Sequence, residues 1–349
     1  MKPTFTLILL LIGLAGCASA PTPRLAEPPC PRAELKAASA PEILAHFEEP
    51  GFWLQKLNEK ELQRVLMSDE AITALNARNL ASNRAAYQDI LGASVADPER
   101  VTSELAERRA WLDNKLSTKA YVEALPGSYA LAKKVIEQSL PHDALHLVAR
   151  EADIRCVPTD EGFFTPAMDL AFDRNRCSRL HVGEAVRVLR TAQQGEWLYV
   201  HAGHSVGWLH SPALAPAKTR DEMNSYLNDP NRLVLTDDIL VEGVTLRMGR
   251  RFPGKRQDDG SWLLTLASEE GTRSLTLGPQ SPLHQGAMPL TKANVLKLVF
   301  SRMNEPYGWG GYRGGRDCSR LLLDLFSVFG LRLGRHSLVQ AEAGLAKVD

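Results

Sequence analysis

The stretch YGWGGYRGGRDCSR, residues 307–320, decides how the last part of this chain folds. Its glycines permit tight turns and close backbone approach, and an apolar run over residues 321–329 follows at once. This pattern predicts a helix with Asp317 as N-cap, Cys318 in the first turn and Gly330 just past the end. The positive end of the helix dipole favours an anionic thiolate at that position. We therefore interpret Cys318 as a nucleophile rather than as a small core residue.

The same stretch resembles the signature of the NlpC family of papain-like peptidases, which cleave the peptide stems of bacterial cell walls. That signature is an aromatic-x-Trp-Gly-Gly loop followed by Asp-Cys-Ser at the head of a buried helix. The matching residues are Tyr307, Trp309, Gly310, Gly311, Asp317, Cys318 and Ser319. Arg320 departs from the family, which usually has a small glycine there, so Arg320 is predicted to alter local packing or the shape of a subsite.

The resemblance implies a cysteine endopeptidase that hydrolyses γ-D-glutamyl–diamino acid bonds in murein peptides. Cys318 would attack the carbonyl carbon, and backbone amides near the helix start would stabilise the oxyanion. The residues implied to shape the subsites are Tyr307, Trp309, Asp317, Ser319 and Ser337. Asp317 acting only as an N-cap, and Tyr307 and Trp309 acting only as core aromatics, are alternatives that remain open. The sequence does not separate hydrolysis from acyl or amide transfer, and it does not identify the diamino acid.

A thiol peptidase also needs a base, normally a histidine, to take the thiol proton and to protonate the leaving amine. In the family that histidine lies further along the chain than the 31 residues that follow Cys318 here. We therefore expect the chain to be C-terminally truncated and inactive as it stands, with the apolar face of the Cys318 helix exposed because the papain-like sheet is missing. His336 is predicted to be a loop residue near the subsites.

Eight histidines besides His336 are candidates for the base. Three belong to one predicted β-barrel and would have to reach Cys318 across domains: His201, His204 and His210. The remaining five show no pairing with a carboxylate or a cysteine in the sequence: His46, His142, His146, His181 and His284. No Cys/His cluster has the spacing of a zinc site, so neither a metal nor another cofactor is expected.

The first residues are typical of a bacterial lipoprotein. Lys2 and the apolar run 7–12 precede Leu-Ala-Gly-Cys at residues 14–17, which resembles a lipobox. We expect a signal peptide over 1–16, lipid on Cys17 and a Pro/Ala-rich tether over 17–40. Ala18 resembles outer-membrane sorting, which predicts an outer-membrane lipoprotein facing the periplasm. An ordinary secretory signal cut after Ala18 or Ala20 is the alternative.

Cysteine use follows from that compartment. Of five cysteines, Cys17 is assigned to lipid and Cys318 must stay reduced, so Cys30, Cys156 and Cys177 remain. A Cys156–Cys177 disulfide is expected because both residues fall in one predicted domain. Cys30 stays open as a partner for either one.

The rest of the chain predicts a multidomain α+β protein. A helical stabilising segment is expected over 41–150, two SH3-like β-barrels over 151–215 and 216–288, and the start of a papain-like α+β peptidase domain over 289–349. The period changes from helical to alternating near residue 152, and the Gly-Glu-Trp at 195–197 and the Gly-Trp-Leu at 207–209 resemble bacterial SH3 domains. In the family branch with this arrangement, an SH3 domain roofs the substrate site. Asp169, Asp173 or Tyr199 could contribute to that roof, or Tyr199 could simply be buried.

The amino-acid composition limits the classes of binding partner that can be expected. The chain has 349 residues, 44% of them hydrophobic, and Lys+Arg and Asp+Glu both total 41. This balance describes a globular protein and gives no argument for nucleic-acid binding. The expected partners are murein peptides or peptidoglycan, and the membrane through the N-terminal lipid. A catalytically inactive murein-binding SH3 lipoprotein is the alternative function, and the oligomeric state is not predicted.

Overall fold

The computed structural model describes residues 47–81, 87–192, 194–229 and 231–343. The predicted signal peptide and tether, with Cys17 and Cys30, lie outside those residues. The described part is a multidomain α+β structure, as predicted. None of its helices is both long and apolar enough to cross a membrane.

The N-terminal region is mainly helical. Its elements are α1 Pro50–Leu54, α2 Glu59–Gln63, β1 Val65–Met67, α3 Asp69–Ala81, α4 Pro98–Ser117, β2 Val122–Glu123 and α5 Ser128–Gln138. Helix α4 begins after the N-cap Asp97, whose side chain accepts a hydrogen bond from the Glu99 amide at 3.1 Å. Three apolar residues of α4 are buried, Val101, Leu105 and Leu112. They give α4 one face that packs on the sheet that follows.

A first β unit comes next. Its strands are β3 Leu140–Leu147, β4 Ala152–Arg155, β5 Phe163–Phe164, β6 Arg176–Leu180, β7 Ala185–Thr191, β8 Trp197–His201 and β9 Val206–His210. Six of them form one antiparallel sheet in the order β3-β7-β8-β9-β4-β6. The predicted boundary at 151 is therefore too late, because β3 belongs to this sheet. Pro141 obscured β3 in the sequence, but proline is tolerated at an edge strand, where one side needs no ladder bond.

The insertion over 159–180 is closed at its base by the Cys156–Cys177 disulfide, whose Cα atoms are 5.3 Å apart. Within it, β5 pairs with β2 of the helical region. Phe163 is fully buried among residues of α4, α5 and the sheet, and Tyr129 contacts it edge-to-face at 6.0 Å. The insertion is thus a packed part of the unit and can hold side chains in fixed positions.

A second β unit follows the helix α6 Arg220–Asn228, which the sequence analysis did not predict. Its strands are β10 Leu233–Leu235, β11 Ile239–Val241, β12 Val244–Leu246, β13 Arg251–Phe252, β14 Gly254–Arg256, β15 Trp262–Ser268, β16 Gly271–Leu277 and β17 Leu283–Gln285. They form three small antiparallel sheets around a core that includes Leu233, Phe252 and Leu264. The SH3-like barrel over 216–288 stays a prediction.

The C-terminal region contains β18 Leu290–Thr291, α7 Lys292–Phe300, α8 Cys318–Val328 and α9 Ser337–Glu342. The papain-like sheet is expected to be missing here; within the described residues this region contributes the short strand β18, which pairs antiparallel with β1 of the N-terminal region. Helix α8 is also not apolar all round, since Arg320 and Asp324 are buried within it. Its apolar face is mostly covered: Leu325 and Val328 pack with Ile72 of α3 and with the second β unit, and only Leu322 is exposed, at 43%. The predicted exposure is therefore wrong for most of that face.

Candidate active site

The glycine loop turns sharply before α8. Gly310 and Gly311 have φ of +58° and +90°, in the left-handed region that glycine tolerates best. A Cβ on Gly310 would lie 2.6 Å from the backbone oxygen of Arg176, so a side chain there would collide with β6. The glycines are required because the loop lies directly on the first β unit.

Asp317 joins the loop, the helix and a later segment. Its carboxylate accepts hydrogen bonds from the amides of Arg320 at 2.9 Å and Gly310 at 3.1 Å. Arg335, 3% exposed, adds a two-pronged ion pair at 2.9 and 2.5 Å. Burial raises the pKa of Asp317, but the hydrogen bonds and charge of Arg335 outweigh it and hold that pKa below its ordinary value. The N-cap prediction is confirmed, and the carboxylate is fully used in fixing the helix start.

Cys318 lies in the first turn of α8, where the sequence predicted it, and its thiol is free and exposed. Among the described residues, neither its sulfur nor its backbone amide has a hydrogen-bond partner. The amide is one of the N–H groups that a helix start leaves unsatisfied. An exposed thiol and an unpaired backbone donor therefore lie together at the start of α8.

Three aromatic side chains, Phe172, Tyr307 and Trp309, lie together beside Cys318 and form an aromatic wall. The Phe172 ring lies 6.0 Å from Tyr307 and 5.8 Å from Trp309, and the Arg174 guanidinium lies 4.7 Å from the Trp309 ring centre. The Trp309 indole donates to the backbone oxygen of Asp173 at 3.1 Å. Burial, then the charges of Asp317 and Cys318, raise the pKa of Tyr307, which is 54% exposed. The insertion of the first β unit and the glycine loop thus form one surface.

The three residues suggested for the roof have structural partners. Asp169 accepts from the Ala171 amide at 3.0 Å, and Asp173 pairs with Arg155 at 2.8 Å. Tyr199 is buried and donates to Glu104 at 3.3 Å. The side chains that reach the site from this unit are Phe172 and Arg174, which the sequence analysis did not single out. The Phe- and Arg-rich composition of the insertion was the only signal for them.

The two predicted serines differ in position. Ser319 is buried, donates to Asp317 at 3.2 Å and accepts from Arg335 at 3.0 Å, so it supports the helix start. Ser337 is exposed at the first residue of α9. Helix α9 is tied to α8 by Gln340, which donates to the Ser319 backbone oxygen at 2.8 Å.

No described histidine pairs with Cys318. His201 is buried, and its Nδ1 accepts from the Gly203 amide at 3.2 Å; the His204 and Glu184 side chains are 3.3 Å apart. His210 stacks on Trp197 with ring centres 3.9 Å apart. The expectation that His181 has no carboxylate partner is wrong, because it lies 2.8 Å from Glu151. Within the described residues there is also no cluster of His, Cys, Asp or Glu suited to a metal ion.

A buried charge network lies beneath α8 and explains Arg320. The Arg320 side chain contacts Asp324 at 2.9 Å and Glu184 of the first β unit at 3.2 Å. Arg316 contacts the same Asp324 at 2.8 Å and Asp238 of the second β unit at 2.7 Å. Burial raises the pKa of Asp324, but the charges of Arg320 and Arg316 reverse that effect and hold it well below its ordinary value. Arg320 stands where the NlpC signature usually has glycine, and here its side chain links α8 to the first β unit.

Comparisons with known proteins agree with this architecture. Residues 161–210 match the family model described as SH3 domain (SH3b1 type). An NlpC/P60 endopeptidase from Photobacterium damselae subsp. piscicida superposes with a TM-score of 0.62 at 18% identity, covering 82% of this chain and 68% of that one. An NlpC/P60 family protein from Bacillus cereus ATCC 10987 gives 0.43 at 15% identity, covering 59% and 79%.

A search of curated proteins finds no match. The chain therefore carries a bacterial SH3-type domain within its first β unit and shares its overall fold with an NlpC/P60 endopeptidase.

Proposed function

We propose that the surface around Cys318 is the nucleophile and substrate-binding part of a murein-peptide cysteine endopeptidase, specific for γ-D-glutamyl–diamino acid bonds. The observation that carries this proposal is an exposed, unpartnered thiol at the start of α8 beside an aromatic wall. The fold likeness to an NlpC/P60 endopeptidase supports the reaction class. The SH3-type domain supports a peptidoglycan ligand.

In this proposal each residue has one task. The Cys318 sulfur attacks the carbonyl carbon, and the Cys318 amide donates to the oxyanion that forms. Tyr307, Trp309 and Phe172 contact the peptide stem through their rings. Asp317 and Arg335 fix the position of the thiol without touching substrate.

A second candidate function is murein binding without turnover. It is favoured by one observation: among the described residues no histidine pairs with Cys318, so none of them is placed to protonate the leaving amine. For the 349-residue chain by itself we therefore expect binding of a murein tripeptide without cleavage.

The test uses the tripeptide L-Ala-γ-D-Glu-diaminopimelate with calorimetry for binding and chromatography for release of L-Ala-γ-D-Glu. Binding that weakens at least about tenfold in Tyr307→Ala, with no dipeptide released, is the expected result. Release of the dipeptide by the native chain, abolished in Cys318→Ala, would instead show that the chain holds a catalytic base. Loss of that release in His336→Ala or His204→Ala would identify the base. Unweakened binding in Tyr307→Ala would place the ligand elsewhere.

We also propose that the chain is an outer-membrane lipoprotein acylated at Cys17, on the evidence of the Leu-Ala-Gly-Cys run at residues 14–17. Mass spectrometry of protein extracted from membranes is expected to show an acylated N-terminal Cys17. A mature soluble protein beginning at Ser19 or Pro21 would contradict it.

A further inference from the structure

A large cleft lies away from the thiol. Its volume is about 890 Å³, within the size range of small-molecule sites, and its walls come from α3, α6, both β units and residues 327–333. It borders the C-terminal end of α8, whereas Cys318 begins that helix and does not line the cleft. The cleft is thus separate from the candidate active site.

Five arginines line this cleft, and two of them, Arg232 and Arg250, have a buried Nε without a hydrogen-bond partner. Arg232 is 7% exposed; one of its terminal nitrogens donates to the Arg251 backbone oxygen, but its Nε is buried without a partner. Arg251 donates to the Ser327 backbone oxygen at 3.2 Å. Arg250 pairs with Glu184 and Asp324, yet its Nε is also unpartnered. Backbone oxygens hold Arg232 and Arg251 in place, and carboxylates hold Arg250. Arg232 and Arg250 each keep one unsatisfied donor.

Five carboxylates also line the cleft, so its formal charges balance, but they do not pair with every arginine. Among the described residues, no carboxylate lies within ion-pair distance of Arg232 or Arg251, although Asp229 and Asp69 exert an attraction from further away. Burial, followed by the charges of Arg232, Arg332 and Arg250, lowers the pKa of Arg251 to about 10. Burying such groups without a counter-charge is costly, and an anion in the cleft would remove much of that cost.

We propose that this cleft binds a small organic molecule through a carboxylate or phosphate group held by Arg232 and Arg251. The planar guanidinium fork matches both oxyanions. Apolar and aromatic groups in the walls, Ile72, Leu227, Leu331, Tyr87 and Tyr226, suit the carbon skeleton of such a ligand.

The test measures binding of two probes by calorimetry: inorganic phosphate, and the murein tripeptide as a carboxylate source. At least one probe is expected to bind the native chain and to bind Arg251→Gln at least about tenfold more weakly. Arg150→Gln, an exposed arginine outside the cleft, is the matched control and is expected to change nothing. Preference for phosphate or for the tripeptide, measured in Tyr307→Ala so that binding at the proposed active site is weakened, identifies the ligand's acidic group.

Ala77→Trp provides a variant that keeps every arginine, because Ala77 is an exposed residue of α3 that lines the cleft. The added ring is expected to weaken the same binding by blocking the space. Cys318→Ala and Tyr307→Ala are expected to leave phosphate binding unchanged, which separates this site from the proposed active site. Absence of binding by both probes, or equal affinity in the native chain, Arg251→Gln and Ala77→Trp, would overturn the proposal.

Discussion

At the residue scale, Arg320 shows how a buried arginine near a helix start orders the residues around it. The side chain is 3% exposed and contacts Asp324 and Glu184, which are themselves buried. Neither carboxylate can recover solvation if the guanidinium is removed. The Arg320 side chain therefore contributes to the stability of the fold through these buried contacts, which a glycine at this position could not make.

Replacing Arg320 by Ala is expected to lower the free energy of unfolding by about 1.5–3 kcal/mol, because its buried contacts with Asp324 and Glu184 are lost. Arg316 and Arg250 still contact these carboxylates, so neither is left without a counter-charge. Denaturant unfolding would measure the loss. Arg273→Ala is the control, since Arg273 pairs with Glu242 at the surface and such pairs contribute about 0–1 kcal/mol. Equal losses in the two variants would show that the buried network does not stabilise the fold.

His201 gives the fold a pH dependence. Burial, then the positive charges of Arg100 and His204, lower its pKa from 6.5 to about 3. As pH falls, His201 is protonated in the unfolded chain before it is protonated in the folded chain. The contribution of neutral His201 to the free energy of unfolding is therefore fully present above pH 6.5 and is lost as pH falls from 6.5 to about 3.

The variant His201→Gln is expected to show a shallower fall in melting temperature across that interval, because one proton-linked group has been removed. The measurement is thermal unfolding at a series of pH values, with His210→Gln, whose ring is exposed, as the control. An unchanged slope in His201→Gln would contradict the assignment.

At the element scale, the insertion of the first β unit owes its shape to a covalent closure. Cys156 follows β4 and Cys177 lies in β6, 21 positions apart, and between them the chain carries Phe172 and Arg174 to the candidate site. Pairing of β5 with β2 anchors the middle of the loop.

Replacing both Cys156 and Cys177 by Ser is expected to cost about 3 kcal/mol in the chain-entropy account of disulfides. Urea unfolding of the double variant against the native chain gives the value. Peptide mapping without reductant checks the pairing, and recovery of Cys30 joined to either residue would show that the assigned bridge is wrong.

At the scale of the whole molecule, the units are joined through α8. Ile72 of α3, Val234 of the second β unit and Leu325 of α8 share one core cluster. Glu184 of the first β unit reaches the same helix through Arg320. Multidomain chains commonly unfold in steps. Because these units share a buried core cluster and a buried ion pair, we expect this chain to unfold as one body instead.

Ile72→Ala is expected to lower the free energy of unfolding by about 2–5 kcal/mol, because Ile72 is 4% exposed and its removal leaves a cavity between units. Tryptophan fluorescence and far-ultraviolet circular dichroism should still report coincident transitions. Leu131→Ala, at a 62% exposed position on α5, is the control. Separate transitions in the native chain would contradict the single cooperative body.

The sequence by itself determined the features that depend on near neighbours. The cap at Asp317, the position of Cys318 in the first turn, the left-handed glycines and the alternating strands from β7 to β9 all follow from local backbone and side-chain preferences. These features, with the resemblance of residues 307–320 to the NlpC signature, are enough to predict the fold class. That Cys318 is a nucleophile stays a prediction.

Only the tertiary structure decided which distant groups meet. Arg335 comes to Asp317 from 18 positions later, and Phe172 comes to Trp309 from more than a hundred positions earlier. The sequence carries no periodic signal for such pairs, because their contact depends on how sheet, loop and helix pack. The same reason explains why the edge strand β3 and the arginine-lined cleft were not predicted: each exists only where separate elements are brought together.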